Sequence, residues 1–349
     1  MKVAFAIDFL LERNQEVFLL ELLLAGFPDA EIYTLAHAKG KILGRIENHK
    51  IISSPLSRFV QSYGHLKKTS WMIPSALKQL KVAPEVDKLI ILSSGWAHAI
   101  DSGPRTERFV WLSHFSELTN LFGWKKIFKF HHQGVQFSRL KREKNLAFSS
   151  QWLMNDLALP GRVIYPGYKT EDFHLVADEI HTGIYTHHLV HLKGADGKLV
   201  RSLAEAALKT QIPLKFVGPD EEYGDLKQHK TFEFIGDHCD ATTAAMTHDA
   251  RAVWSLTDAP FPSQALGALA CGRPAVVLDN PINTEVLPGE TVWVVKKNLE
   301  EVLDAAERTY LSSDKKVLRR MGLKYNERLF KNQFRAWAGL KASAPEADA

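Results

Sequence analysis

Residues 250–280 read ARAVWSLTDAPFPSQALGALACGRPAVVLDN. RAVWSL (251–256) and PAVVLD (274–279) are short apolar runs rich in β-branched and aromatic residues and bounded by breakers, the pattern of central strands in a parallel sheet. Between them a helix of small residues begins after Pro262, with Ser263 in the N-cap position, and stops at Cys271-Gly272 with Pro274 just beyond. In a strand–helix–strand unit the amino end of the helix faces the carboxyl edge of the sheet. Its free N–H groups and dipole make an anion site there, with a nucleotide diphosphate as the natural guest.

The pattern repeats outward from this unit. VAFAI (3–7), EIYTL (31–35), KIISS (50–54), KLIILSS (88–94), RFVWLSH (108–114) and NLAFSS (145–150) read as strands with helical stretches between several of them. A poorly patterned segment follows Pro166-Gly167. Strands then restart with HHLVHLK (187–193), PLKFVG (213–218) and TFEFIG (231–236), and continue to TVWVV (291–295). Two alternations predict an α/β chain of two Rossmann-like domains, 1–170 and 187–312, with ligands at the carboxyl ends of the strands. The amphipathic stretch 313–340 predicts a helix crossing back to the first domain, and 341–349 a disordered tail.

With 349 residues, 45% hydrophobic and 24% charged, the chain has the composition of a globular protein and suits two domains. No apolar run approaches a membrane span, and the charged amino end is no secretory leader, so a cytoplasmic location is expected. The two cysteines, Cys239 and Cys271, form no disulfide framework and no metal spacing. His187 and His191 share a strand face, two pleats apart, with no carboxylate partner evident, and no metal is expected. A net charge of +4 without a recognition motif argues against nucleic acid. The basic stretch 125–144, with Phe128, Phe130 and Phe137 among its cations, reads either as a solvated helix face or as a peripheral contact with the inner face of a membrane.

The 250–280 segment resembles the donor-sugar motif E-x-F-G-x-x-x-x-E-A-x-A-C-G-x-P-V-V of the retaining GT4 glycosyltransferases. Phe261, Ala268, Ala270, Cys271, Gly272, Pro274, Val276 and Val277 are in place. Both acidic positions differ, falling on Ala259 and Gly267, and the motif glycine is Pro262. Glycine inside a helix costs about 1 kcal/mol relative to alanine, so Gly267 implies either a close approach at that turn or a decayed site. FPDAEIYTLAHA (27–38), LSSGWAHAI (92–100), RFVWLSHFSELTN (108–120), LAFSSQWLMNDL (146–157) and VIYPGYKTEDF (163–173) extend the likeness to the branch that builds bacterial polysaccharide and lipopolysaccharide.

The resemblance implies a GT-B fold, two Rossmann-like domains facing each other across a cleft. It also implies a UDP- or GDP-type sugar donor, a glycan or lipid-linked acceptor, and no metal or covalently bound cofactor. It places the diphosphate clamp on Lys193 and Lys198, a donor-sugar histidine on His114 and a nucleotide-side acid on Glu285. Asp258 neighbours the lost first glutamate, and Ser263 and Gly267 lie at the donor helix. Where the family has a Gly-Gly loop, this chain has Glu12-Arg13-Asn14-Gln15. Each candidate also has a structural reading: loop lysines, a strand-end histidine, a turn aspartate before Ala-Pro, and a helix-dipole glutamate for Glu285. The functions left open are a retaining hexosyltransferase, weakened by the missing acids, and a catalytically inactive GT-B scaffold that binds a nucleotide, glycan or partner. A sugar-nucleotide epimerase is less well supported.

Overall fold

The computed structural model describes residues 1–42, 44–115, 135–174, 187–238, 240–287, 292–295 and 299–340. The basic residues 125–134, part of the interdomain segment (175–186), Cys239 and the tail 341–349 lie outside that set. The chain divides into two units, Met1–Gly167 with Arg328–Ala349, and Tyr168–Glu327.

The first unit is built on a parallel sheet in the order β3-β2-β1-β4-β5-β6-β7. Its strands are β1 Val3–Leu10, β2 Glu31–His37, β3 Ile51–Ser53, β4 Lys88–Ser93, β5 Glu107–Leu112, β6 Leu146–Phe148 and β7 Arg162–Val163. Every residue of β1 is buried, as a strand covered on both faces requires. Phe5, Ile7 and Leu10 pack with Val17 and Leu20 of helix Gln15–Leu24 and with Phe330 and Phe334. Ala4, Ala6 and Phe9 face the layer that holds Leu66, Ile73 and Leu77.

The second unit has a parallel sheet in the order β10-β9-β8-β11-β12-β13. Its strands are β8 His188–His191, β9 Leu214–Val217, β10 Phe232–Gly236, β11 Val253–Ser255, β12 Ala275–Leu278 and β13 Val292–Val295. Val190, Trp254 and Val276 pack with Leu203 of helix Gly197–Thr210 and Leu303 of helix Leu299–Ser312.

The carboxyl-terminal stretch corrects the expected single crossing helix. It forms two helices, Lys315–Gly322 and Glu327–Trp337, separated by a tight turn at Leu323–Tyr325. The first stays with the second unit. A methyl group on Gly322 would come within 2.4 Å of the Ala270 backbone nitrogen, so the absence of a side chain lets this helix lie directly on helix Ser263–Ala270. Arg319 donates to the Ala270 carbonyl at 2.6 Å, placing a cation at the negative end of that helix. From Arg328 on, the second helix belongs to the first unit, where Phe330 meets Trp111 edge-on at 5.9 Å and Trp337 meets Phe109 at 5.4 Å. Among the described residues no helix is long and apolar enough to cross a membrane.

Candidate functional site

In the second sheet β8 connects outward to β9 and β10 on one side, while β11, β12 and β13 lie on the other, so the chain direction switches between β8 and β11. Such a switch opens a crevice at the carboxyl edge. The loops leaving β8 and β11 are stitched together across it: Ala195 bridges Thr257, and the Asp196 N–H donates to the Leu256 carbonyl at 2.9 Å. Lys193 and Asp258, both exposed, leave their strands on either side of this junction, and Lys198 is exposed in the first turn of helix Gly197–Thr210. The structure thus brings Lys193, Lys198 and Asp258 to one edge.

The two helices that follow the loops of this junction differ. Asp196 caps helix Gly197–Thr210, its Oδ1 accepting from the N–H groups of Lys198 at 2.8 Å and Leu199 at 3.4 Å. A carboxylate of the chain itself thereby occupies the place expected for a bound phosphate. Helix Ser263–Ala270 has no side-chain cap. The expected N-cap role of Ser263 is corrected here: Pro262 holds the cap position and Ser263 is the first helical residue, its N–H bonded to the Phe261 carbonyl at 3.0 Å. A hydroxyl within the first turn does not take the place of the cap residue.

Asp258 is held by Asn280, whose Nδ2 donates to its Oδ1 at 3.2 Å, while the Asn280 Oδ1 caps helix Pro281–Val286 through the Asn283 N–H at 2.8 Å. Glu285 is half-buried and lies in the second turn of that helix, past the positive end of the dipole. Gly267 is explained by packing. A Cβ there would fall 2.5 Å from Cε1 of Phe173, so the ring of Phe173 covers the helix face where the resemblance places an acid. Of the two readings open in the sequence, close approach is the one observed. Cys271, beside it, is buried, and burial pushes its thiol up to about 12, leaving it unreactive.

His191 closes β8 under this crevice, in register with Ser255 and Val217. It is buried, its Nε2 meets no hydrogen-bonding partner, and burial lowers its pKa to about 4. A second histidine looks more like a catalytic relay and is not one. His188 meets Glu307 at 2.6 Å through Nε2 and accepts from the Trp254 indole at 3.0 Å, while Arg251 holds the other Glu307 oxygen at 2.8 Å. This network lies at the amino end of β8, the edge opposite the crevice, and ties helix Leu299–Ser312 to the sheet.

The first unit switches direction between β1 and β4, where protein groups fill the crevice. Asp8, buried on β1, takes the Ser94 N–H (3.1 Å) and hydroxyl (2.7 Å) and the Trp96 N–H (3.1 Å) on Oδ2. Its Oδ1 takes the Ala97 N–H (2.6 Å) and the Ser93 hydroxyl (3.2 Å). Burial raises the carboxyl pKa, and these donors oppose the shift. His98, with Ser93 at 3.2 Å and the Gln136 carbonyl at 3.3 Å, is driven down to about 3 by burial and is a neutral imidazole.

His114 lies beyond β5, which ends at Leu112. Its Nδ1 is 3.0 Å from the Ser113 hydroxyl and 3.6 Å from Glu16, and Ser113 also donates to Glu16. In place of the Gly-Gly loop, Asn14 caps helix Gln15–Leu24 through the Val17 N–H at 3.0 Å, and Arg13 pairs with Glu21 at 2.8 Å.

Sequence reasoning gave no role to Asp8, Asp196, Phe173 or Glu16, and weighed His191 only as a metal ligand. Two of them left a trace: Asp8 is an acid inside an apolar strand, and Asp196 precedes a helix start as a cap residue does. Phe173 left none, because its partner lies far along the chain.

No protein-family model and no curated protein matches the chain. Among solved structures it is similar over nearly its whole length to Anabaena HepE crystallised with UDP and glucose, at 14% identity over 96% of this chain and 99% of that one, TM-score 0.69. It is similar to sucrose-phosphate synthase from Thermosynechococcus elongatus at 15% identity, over 97% and 96%, TM-score 0.64. The likeness to α,α-trehalose 6-phosphate synthase from Burkholderia multivorans is 10% identity, over 97% and 98%, TM-score 0.61. At these identities the likeness is one of fold. The protein is an α/β chain with two Rossmann-like units of the GT-B fold, the architecture of these solved structures.

Proposed function

We propose that the protein is a glycosyltransferase that moves a sugar from a UDP- or GDP-type donor to a glycan or lipid-linked acceptor with retention of configuration. The observation that carries this reading is the stitched junction at the β8–β11 switch point. It gathers Lys193, Lys198 and Asp258 at the edge where the uncapped helix Ser263–Ala270 begins. The two lysines neutralise the diphosphate as point charges and the helix amino end adds N–H donors. In the reaction the bond from the anomeric carbon to the diphosphate breaks and a bond to the acceptor oxygen forms. The acceptor proton passes to the leaving phosphate, and the protein supplies orientation and charge. His114 in the first unit and Asp258 in the second remain the catalytic candidates, with Ser263 and Glu285 as donor contacts.

A specific observation favours a second reading, a non-catalytic nucleotide- or glycan-binding scaffold. The Phe173 ring fills the space of the second motif acid, and Asp196 places a negative charge on one of the two helix ends. Slow turnover is therefore expected. Calorimetry with UDP, GDP and their sugars tests the site: binding to the native chain that falls more than about tenfold in Lys193→Ala/Lys198→Ala supports it, about 1.4 kcal/mol. Absence of any nucleotide binding removes the transferase reading and leaves only a scaffold that binds a glycan or partner. Binding without transfer or hydrolysis selects the scaffold.

A further inference from the structure

Two serine–histidine pairs stand at the ends of neighbouring strands of the first sheet, Ser93 with His98 at β4 and Ser113 with His114 at β5. In each the hydroxyl lies within hydrogen-bonding distance of Nδ1, at 3.2 Å and 3.0 Å respectively. In each a carboxylate stands behind the serine: Asp8, at 3.2 Å, for Ser93 and Glu16 for Ser113. The two imidazoles nevertheless carry their protons on opposite nitrogens. The Nε2 of the neutral His98 faces the Gln136 carbonyl at 3.3 Å, and a carbonyl can only accept, so the N–H of His98 is on Nε2.

At His114 the order of donors runs the other way. An ionised carboxylate has no hydrogen to give, so the Ser113 hydroxyl donates its one proton to Glu16 in preference to the neutral Ser93 carbonyl at 3.3 Å. Its oxygen is left to accept from the Nδ1–H of His114 at 3.0 Å. In the neutral ring the proton then sits on Nδ1 and the lone pair on Nε2. Glu16 is the second residue of helix Gln15–Leu24, where the positive end of the dipole favours the ionised acid that this relay needs. Ser113 is pinned on both sides, its N–H bonded to the Ser93 carbonyl at 2.9 Å and its carbonyl accepting from the Ser149 hydroxyl at 2.5 Å.

The two clusters also differ in exposure. Asp8 is sealed at 1% exposed and takes up the N–H groups of its own loop, as a structural joint does. The side chains of His114 and Glu16 keep 14% and 13% of their surface at the carboxyl edge, where ligands of such sheets bind. We infer that Glu16 and Ser113 are positioning residues that fix His114 as the Nδ1–H tautomer, so that its Nε2 accepts a hydrogen bond from a hydroxyl of the sugar being transferred. This rests on the transferase reading and makes His114 an acceptor toward the sugar.

The ring nitrogens of His114 are read by long-range proton–nitrogen NMR on the labelled full chain at about pH 8, above the ordinary histidine value of about 6.5. Loss of the signals in His114→Gln assigns them. The native chain is expected to show Nδ1 protonated. Ser113→Ala and Glu16→Ala should each return most of the population to Nε2–H, while Ser113→Thr, which keeps the hydroxyl, should retain Nδ1–H. A native ring protonated on Nε2, or an Nδ1–H form that persists in both alanine variants, overturns the inference. UDP-glucose or GDP-mannose should then shift the Nε2 resonance where UDP and GDP alone do not, and Ser113→Ala should weaken the sugar nucleotide about fivefold relative to the free nucleotide. An Nε2 signal that responds to neither sugar nucleotide, or an unchanged affinity for them in Ser113→Ala, also overturns it. Binding of UDP or GDP with an unresponsive Nε2 leaves the transferase reading standing and removes only this role of His114. A chain that binds no nucleotide loses both the transferase reading and the sugar contact.

Discussion

The two sheets reverse direction in the same way, yet their switch points are finished differently. Between β1 and β4 the crevice is closed by Asp8, which gathers donors from Ser93, Ser94, Trp96 and Ala97 into one buried knot. Between β8 and β11 the corresponding edge carries exposed Lys193, Lys198 and Asp258, one helix capped by Asp196 and one without a cap. One topology thus yields a structural joint in the first unit and a chargeable edge in the second. The distinction lies in where the carboxylate sits. On the strand, buried, it consumes the loop donors; in the loop, exposed, it consumes only one helix end.

The largest expected effect breaks the knot. Asp8→Ala leaves the N–H groups of Ser94, Trp96 and Ala97 buried without their acceptor and should destabilise the first unit by about 3 kcal/mol or more. Denaturant melts check this. Amide exchange should rise first along β1 and β4, and a loss below about 1 kcal/mol would mean that the donors find other acceptors.

Gly267→Glu tests the packing explanation in the second unit. Because Phe173 sits where the new Cβ would go, the substitution should cost about 3 kcal/mol by overpacking and should not restore donor binding. Adding Phe173→Ala should recover part of the loss. A Gly267→Glu protein as stable as the parent, with tighter nucleotide binding, would show that the ring yields easily.

Acid separates the units further. His98 in the first unit is held near 3, and His187 and His191 in the second are held near 4, all by burial and all below the ordinary 6.5. The unfolded chain therefore takes up protons first as pH falls. Stability is full above about pH 6.5 and declines toward pH 4, by about 2 kcal/mol per histidine at pH 5. With two such residues the second unit should loosen first. Exchange measured at pH 7 and pH 5 tests this, and His191→Gln should remove roughly its share of the dependence.

The smallest effect concerns the cap. Asp196→Ala should cost about 1 kcal/mol in stability. By removing a negative charge from the helix end, it should also tighten diphosphate binding by about twofold to fivefold. Weaker binding would place Asp196 among the groups that hold the ligand.

Strand positions were readable along the chain because burial of a parallel strand on both faces writes a continuous apolar run, as in VAFAI and RAVWSL, and breakers close it. Lys193 and Lys198 were singled out by the resemblance to the GT4 family, and the strand end and helix start read around them put both at that turn. The end of β5 was overrun, placing His114 inside a strand that stops at Leu112, because apolar residues continue past the last ladder bond.

Local order in the chain was enough to set the two alternations of strand and helix, the α/β class and the edge at which Lys193 and Lys198 lie. These follow from periodicity, breakers and charge within a few residues of one another. Long-range folding settled the rest: that Phe173 covers Gly267, that Asp8 collects the loop after β4, and that the carboxyl-terminal stretch divides between the units after Glu327. Each depends on which distant side chain or backbone group fits within a few ångströms of another. That complementarity of shape and hydrogen bonding arises only when separated segments meet.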